Sequence, residues 1–397
     1  MSAVRREALV LHLDDAPQAV ETYGFAGSQG VTLEGQLLRT DDESDTLFVF
    51  MHPTSTLQLM PIPEAMAARG MHVLCAASRY PKNDSALVFE KVLLDLGGWI
   101  RWAREQAGYA SVVLMGWSGG GSLSLLYQAE AEAPTITHTP AGDPVNVAGA
   151  GLIPADGVVF IAAHLSRAET LTEWMDPSVI DEADPYRRDT ELDIYAANPR
   201  HLPPYDAAFV EAFRQAQRDR NHRITAWVRE ELERLRAAGG PEIERPFIVH
   251  RTMCDVRWLD ATIDPNDRRP GWCYLGDPRT ANAGPAGLAR FSTLRSWLSQ
   301  WSLADSRARS LLNAPRITTT PVLQIENSAD DAVPATHNAI VRAALGTADK
   351  SYELIPGATH YYKGQPEQLQ RCVDTVESWC RERDLLRSSM RTAGARA

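Results

Sequence analysis

Cysteine is scarce in this chain of 397 residues: there are five, and no two of them form a Cys-x-x-Cys pair. An odd, scattered set of thiols excludes a disulfide framework and a cysteine-based zinc site, and it is typical of buried, reduced cysteines. The histidines show no metal-ligand spacing such as His-x-x-x-His either. We therefore predict a cytoplasmic protein with no metal and no organic cofactor.

Long apolar runs and excess positive charge are also missing. No segment approaches the ~20 apolar residues of a membrane span. The short apolar run near the N-terminus is interrupted by His12, Asp14 and Asp15, which is unlike a signal peptide. The formal net charge of -11 argues against binding to nucleic acid, which requires clustered lysine and arginine, and gives no reason to expect a membrane partner. A small-molecule substrate is the expected partner, and a homodimer is compatible with the sequence.

The first part of the chain alternates short apolar runs with amphipathic segments. The patterns predict strands at 30–40, 45–53, 71–78, 111–116 and 157–164, and helices at 63–70, at 85–108 and after residue 118. Strands that alternate with helices in this way are typical of a mostly parallel, twisted sheet with helices on both faces. The first part of an α/β domain is therefore predicted at 1–164.

The pattern changes at 165–315, which is polar and helical. A long helix is predicted after the N-cap residue Asp206, with Gly239 and Gly240 as its stop, and a second helix at 287–303. Alternation of strands and helices then resumes. The sequence thus predicts a mainly helical insertion at 165–315 within an α/β domain that is completed by 316–397, including a loosely held C-terminal tail.

The sequence Gly116-Trp117-Ser118-Gly119-Gly120 lies between a predicted strand and a predicted helix. It matches G-x-S-x-G, in which a serine on a sharp, strained turn exposes its hydroxyl above the sheet. Glycines occupy the positions two before and two after the serine, where side chains would clash. The following helix directs its N-terminal amides at the serine and favours developing negative charge. The pattern indicates a nucleophile, with a plain glycine turn as the alternative; the spacing does not fit a phosphate-binding loop.

A serine hydroxyl becomes an effective nucleophile only with a base and an orienting acid. His360 follows the last predicted strand, and Asp330 and Asp331 follow the strand before it. On the serine motif and the chain order Ser118, Asp330, His360, the sequence resembles the α/β-hydrolase superfamily of serine hydrolases.

The resemblance covers about 22–164 and 318–386 and implies the α/β-hydrolase fold, with 165–315 in the place of that family's cap domain. In the family, the acid usually lies in a G-x-x-D turn followed by x-x-V-P. Here Asn327 replaces the glycine, and the spacing to Pro334 selects Asp330 over Asp331. Asp331 could instead cap the next helix.

Two backbone N–H groups are needed to hold an oxyanion. One is expected from Gly119, directly after the serine. The resemblance places the second in the turn after the third strand, where this chain reads His52-Pro53-Thr54 rather than His-Gly-x. Proline has no N–H, so Thr54 is the expected donor. His52 is expected to orient this turn, with a role as a second base as the alternative.

Aromatic side chains near these motifs are predicted to contact substrate, although packing is the alternative for each of them. Trp117 and Tyr361 are neighbours of the serine and the histidine. Trp258 belongs to a set in the insertion that could form an apolar wall or simply its core; the other members are Trp272, Tyr274, Trp297 and Trp301.

The sequence therefore predicts a serine hydrolase that cleaves a carboxylic ester of a small or medium, partly apolar substrate through an acyl-enzyme on Ser118. A lactone, an amide, a thioester or a C–C bond next to a ketone could be cleaved by the same residues, and the acyl group could pass to an alcohol instead of water. A non-catalytic binding protein is the third alternative. The serine argues against epoxide hydrolase or dehalogenase chemistry, because those members of the superfamily carry aspartate there.

Overall fold

An eight-stranded sheet forms the centre of the protein. The computed structural model describes residues 3–14 and 30–386, so the predicted C-terminal tail lies outside the described residues. The strands are β1 (Arg5–Leu13), β2 (Val31–Arg39), β3 (Thr46–Met51), β4 (His72–Ala76), β5 (Ser111–Trp117), β6 (Gly157–Ile161), β7 (Pro246–His250), β8 (Ala289–Thr293), β9 (Val322–Asn327) and β10 (Lys350–Ile355).

The order of strands in the main sheet is β1-β2-β4-β3-β5-β6-β9-β10. β2 is antiparallel to both of its neighbours, and the other adjacent pairs are parallel. The prediction of a mostly parallel sheet is confirmed. Because β3, β5, β6, β9 and β10 run in the same direction, the turns that follow them meet at one edge of the sheet.

Helices cover both faces of the sheet. They are α1 (Pro61–Ala67), α2 (Phe89–Arg101), α3 (Gly119–Glu132), α4 (Arg167–Trp174), α5 (Ala207–Ala238), α6 (Val256–Leu259), α7 (Pro278–Ala283), α8 (Leu294–Ser296), α9 (Ser310–Asn313), α10 (Ala335–Ala344) and α11 (Pro366–Arg381). Apolar side chains of α2, α3 and α10 pack in one buried cluster with one face of the sheet, and apolar side chains of α1 and α11 pack with the other. The predicted two-faced arrangement is confirmed.

The chain between β6 and β9 contains α4 to α9 and a small antiparallel pair, β7 with β8. The predicted long helix is α5: the Asp206 carboxylate accepts a hydrogen bond from Phe209 N–H, and Gly239 ends the helix in the left-handed conformation. This region packs around its own buried aromatic cluster.

The prediction of a helix at 287–303 is wrong for the first part of the segment, and only 294–301 is helical. This segment begins as β8, continues through the single turn α8, and ends in a π-helical turn, Trp297–Trp301. Pairing with β7 satisfies the backbone of β8, and this long-range contact overrides the local helix pattern. Strand β1 is also absent from the prediction.

No helix among the described residues is long and apolar enough to cross a membrane.

Candidate active site

Ser118 occupies the sharp turn between β5 and α3. Its backbone has φ 53° and ψ -124°, a conformation that costs a non-glycine residue free energy. The turn is tightly packed, since a Cβ on Gly120 would lie 2.5 Å from the carbonyl oxygen of Met51 at the end of β3. Ser118 N–H donates to the carbonyl oxygen of Ile161, at the end of β6, at 3.2 Å. The two neighbouring strands therefore hold the elbow in place.

Ser118, His360 and Asp330 form a hydrogen-bonded series. His360 Nε2 lies 3.1 Å from Ser118 Oγ, and His360 Nδ1 lies 2.9 Å from Asp330 Oδ2. The other carboxylate oxygen, Oδ1, accepts the N–H groups of Ala332 and Val333, both at 2.8 Å. All three side chains of the series are buried. The backbone donors fix the carboxylate so that Oδ2 is directed at the imidazole.

Asp331 has different surroundings from Asp330. Its main-chain carbonyl accepts the indole N–H of Trp258 at 2.6 Å. Burial, and then the negative charge of Asp330, raises the pKa of the Asp331 carboxyl to about 6. The structure thus places the Asp330 carboxylate, and not that of Asp331, against the imidazole of His360.

The turn after β3 contains His52 and Thr54. His52 Nδ1 accepts the N–H groups of Thr54 at 3.2 Å and Ser55 at 3.0 Å, so the ring orients this turn. Burial, followed by the nearby charge of Arg167, lowers the pKa of His52 to about 3, and the ring is neutral. Because Nδ1 is an acceptor, the ring proton is on Nε2. This nitrogen lies 2.8 Å from where a Cβ on Gly119 would be.

Gly119 is the first residue of α3, where an N–H group has no acceptor within the helix. The Thr54 N–H, in contrast, is already directed at His52 Nδ1. The two groups that the sequence predicts as oxyanion donors are therefore in different states: one has no intrahelical partner, and the other would have to leave the imidazole.

His164 is a site residue that the sequence interpretation missed. It follows β6, and its Nε2 lies 3.0 Å from Ser118 Oγ, while its Nδ1 lies 3.1 Å from the hydroxyl of Thr170 in α4. Burial, and then the charge of His360, holds the pKa of His164 well below its ordinary value. The imidazoles of His164 and His360 thus both contact Ser118 Oγ. Its place after the strand that neighbours β5 was the available signal.

Aromatic rings enclose this group. Trp117 donates its indole N–H to the carbonyl oxygen of His360 at 3.2 Å, and the two ring centroids are 4.7 Å apart. Tyr361 lies 5.0 Å from the ring of His360 and 5.3 Å from that of Trp117. Two rings of the insertion also lie near the histidines. The ring centroids of Tyr274 and His360 are 6.4 Å apart, and those of Trp174 and His164 are 5.7 Å apart. The surroundings of the serine are therefore narrow and largely apolar.

The predicted aromatic set of the insertion divides into two groups. Trp258 packs against Trp174, with ring centroids 5.7 Å apart and the rings tilted by 40°. It therefore supports the apolar wall over the site that Trp174 and Tyr274 form. Trp297 and Trp301 are stacked on each other in the buried interior of the insertion, and Trp272 is partly exposed beneath Arg269. Tyr274 thus lies near His360, whereas Trp272, Trp297 and Trp301 pack away from the site.

The part of the chain that the structure describes contains no group of three or more histidine, cysteine or acidic side chains arranged to hold a metal ion. The groups placed at the serine are two imidazoles, the carboxylate behind His360 and the N-terminus of α3.

Comparisons with known proteins identify the fold. No protein-family model and no curated protein sequence matches the chain. Among solved structures, DcsB in complex with its substrate analogue is similar, with a TM-score of 0.53 and 13% identity over 95% of this chain and 99% of that one. The α/β hydrolase GrgF from Penicillium sp. sh18 matches with a TM-score of 0.50 and 10% identity over 95% and 98% of the two chains. The α/β-hydrolase fold predicted from the sequence is confirmed.

Proposed function

We propose that the protein is a serine hydrolase that cleaves a carboxylic ester of a small or medium, partly apolar substrate. The observation that carries the proposal is the buried hydrogen-bonded series from Asp330 through His360 to Ser118 on a strained elbow. A carboxylate, an imidazole and a hydroxyl in this geometry supply the acid, base and nucleophile that acyl transfer requires. The α/β-hydrolase fold supports the same reading at the level of architecture.

In the proposed reaction, His360 Nε2 takes the proton of Ser118 Oγ as the oxygen attacks the acyl carbonyl. Asp330 holds the Nδ1–H tautomer and stabilises the imidazolium that forms. The imidazolium then protonates the leaving alcohol, and an acyl-enzyme remains on Ser118. Water that is deprotonated by His360 attacks this ester, and the proton returns to Ser118 Oγ as the acid is released.

The developing oxyanion requires two donors. Gly119 N–H is proposed as the first. The turn after β3 is proposed to supply the second, either as Thr54 N–H after it leaves His52 Nδ1 or as the proton on His52 Nε2. The two N–H groups that His52 Nδ1 accepts support the second option, because they leave the ring proton on Nε2, which lies beside Gly119.

The proposed substrate is small because the site is closed in. Ser118 is 6% exposed, and residues of the insertion approach both histidines beside it. An insertion that covers the serine in this way acts as a cap, which favours a compact, partly apolar ester over a polymer. The apolar contacts are proposed to come from Trp117, Tyr361 and the wall that Trp258 supports.

A substrate screen tests the proposed function. Purified protein is assayed with short p-nitrophenyl esters, lactones, thioesters and amides, and Ser118→Ala supplies the background rate. We expect hydrolysis of short esters by the wild-type chain and none above background by the variant. If the protein cleaves only lactones, thioesters or amides, the substrate class is that bond and not the ester. Turnover that rises only when an alcohol is added would indicate an acyltransferase, and equal rates for both proteins would contradict the proposal.

A further inference from the structure

The contact between His164 and Ser118 is not used by the series of Asp330, His360 and Ser118. His164 Nε2 lies 3.0 Å from Ser118 Oγ, as close as the 3.1 Å of His360 Nε2. The serine hydroxyl has one proton, so it can donate to only one of the two rings and must accept from the other. The direction of these hydrogen bonds decides what His164 does.

Thr170 determines that direction. Its hydroxyl is buried, and its one hydrogen bond among the described residues is to His164 Nδ1 at 3.1 Å. A buried hydroxyl proton needs an acceptor, so Thr170 donates and Nδ1 accepts. The proton of the neutral His164 ring is then on Nε2, where it is donated to Ser118 Oγ. The hydrogen bonds run from Thr170 through His164 and Ser118 to His360 and end at Asp330.

The backbone holds His164 against the elbow. Its N–H donates to the carbonyl oxygen of Ser118 at 3.1 Å, and Ala162, two residues earlier, has a left-handed φ of 47°. Gly121 permits this approach, because a Cβ there would lie 2.4 Å from the Cβ of Ala163. Gly121, the residue directly after the serine motif, thus makes room for the segment that carries the second histidine.

We propose that His164 is a further catalytic residue, a neutral hydrogen-bond donor to Ser118 Oγ; this rests on the proposed function. In the free enzyme, the donor holds Oγ where its own proton faces His360. During deacylation, the bond between the acyl carbon and Oγ breaks and its electron pair goes to Oγ. His360 returns the proton to that oxygen, while His164 keeps its own proton and stabilises the charge that develops there.

The test compares His164→Leu, which removes the donor, with His164→Gln, whose amide N–H can replace Nε2–H. With an ester that the wild type cleaves, we expect kcat to fall about 10²-fold in His164→Leu, with the deacylation phase after a p-nitrophenol burst slowed most. We expect His164→Gln to recover most of the rate. The acid limb of the pH profile should not move, because burial and the charge of His360 hold the pKa of His164 well below its ordinary value. Leucine and glutamine variants that both match the wild-type rate would overturn the proposal.

Thr170→Val provides a test that does not alter either histidine. Nitrogen NMR of the ¹⁵N-histidine-labelled wild type should show His164 protonated at Nε2, and the valine variant should shift it toward the Nδ1–H tautomer and lower kcat. An Nδ1–H tautomer in the wild type would overturn the proposal. A wild-type protein that cleaves no substrate would instead count against the proposed function.

A second, independent observation concerns the charge of a cavity beside the turn after β3. The cavity has a volume of about 400 Å³, and its lining includes Thr54, Ser55, Lys82, Asp84 and, from the insertion, Arg290. The turn connects it to the serine, because His52, two residues before Thr54, packs on Gly119.

Positive charge exceeds negative charge at this cavity. Arg290 and Arg167 both bind the carboxylate of Asp84, and among the described residues neither arginine pairs with another acid. Lys82 adds an exposed ammonium group at the rim. Burial lowers the pKa of Arg167 to about 10; Asp84 opposes this effect, and the charge of Arg290 adds to it. The lining thus carries one carboxylate, which Arg290 and the neighbouring Arg167 both bind, and one further cation, Lys82. An anion would balance this excess of positive charge.

We infer that this cavity receives an anionic group, a carboxylate or a phosphate, on the substrate whose ester lies at Ser118; this also rests on the proposed function. Guanidinium and ammonium groups are the usual partners of both anions. The cavity lies beside the proposed oxyanion turn, so the anionic group and the scissile carbonyl would belong to one molecule.

Paired esters test this inference. The kcat/KM values for the p-nitrophenyl monoester of a dicarboxylic acid, for a phosphate-bearing p-nitrophenyl ester and for a neutral ester of equal length are compared in wild type and in Lys82→Met and Arg290→Met. We expect at least one anionic ester to be preferred about tenfold or more, with the preference reduced by each variant and by high salt. Whichever anion is preferred identifies the group. Equal kcat/KM values for the three esters would mean that these cations only join the insertion to the core, and would overturn the inference.

Discussion

Ser118→Ala is expected to lower kcat for ester hydrolysis by about 10⁶-fold, the scale on which loss of a serine nucleophile acts. No other hydroxyl is placed against His360 Nε2, at least within the described residues. Alanine tolerates the φ of 53° no better than serine does, so the thermal unfolding midpoint should stay close to that of wild type. Steady-state kinetics and calorimetry measure the two quantities.

Ser122→Ala is the matched control for this prediction. Ser122 lies in the first turn of α3, close to Ser118, and is buried. Within the described residues, its hydroxyl makes one hydrogen bond, to the carbonyl oxygen of Gly119 at 3.4 Å. The control should retain most of the wild-type rate. A Ser118→Ala protein that keeps more than a small fraction of the activity, or a Ser122→Ala protein that loses as much, would argue against Ser118 as the nucleophile.

Asp330→Asn is expected to lower kcat by about 10⁴-fold, as amide substitution does in a serine–histidine–aspartate triad. The N–H groups of Ala332 and Val333 require an acceptor, so the asparagine carbonyl oxygen would remain with them. The NH₂ group would then face His360 Nδ1 and force the proton onto Nε2. In that tautomer the imidazole cannot accept the proton of Ser118.

Asp331→Asn is the control for this prediction, and we expect it to keep its activity and to gain stability. The raised pKa of Asp331 means that the folded state binds its proton more tightly than the unfolded state does, so stability falls as pH rises through about 6. Asparagine cannot ionise, so the variant does not lose this stability as the pH rises. We expect activity within a few-fold of wild type, a larger free energy of unfolding at pH 8 and a much smaller difference at pH 4, measured by denaturant titration. Loss of activity in this variant alone would reverse the assignment of the two aspartates.

Much of the main sheet could be predicted from the sequence because its strands are buried and therefore apolar. β3, β4 and β6 lie within predicted segments, β5 extends one residue beyond its predicted segment, and the turns after these strands had to meet at one edge. β1 was missed because it is an exposed edge strand, recognisable only from its pairing with β2. Likewise, β8 depends on pairing with β7, which is distant from it in the sequence.

The site shows the same division. The elbow glycines, the chain order of serine, acid and base, and the strand ends that carry them are local patterns. The donors that orient these side chains are not. The use of His52 Nδ1 by two N–H groups, and the Thr170 hydroxyl behind His164, depend on how loops and the insertion pack. His164 itself could have been predicted as a site residue, because it follows β6, the strand beside β5. However, no sequence motif contains it.

Identification of the residue modified by a fluorophosphonate tests the central claim most directly. The probe phosphonylates activated serines, and peptide mass spectrometry of the labelled protein locates the adduct. We predict a single adduct on Ser118 in the wild type, weaker labelling in Asp330→Asn and none in Ser118→Ala. An adduct on a different serine, or labelling that persists in Ser118→Ala, would contradict the account.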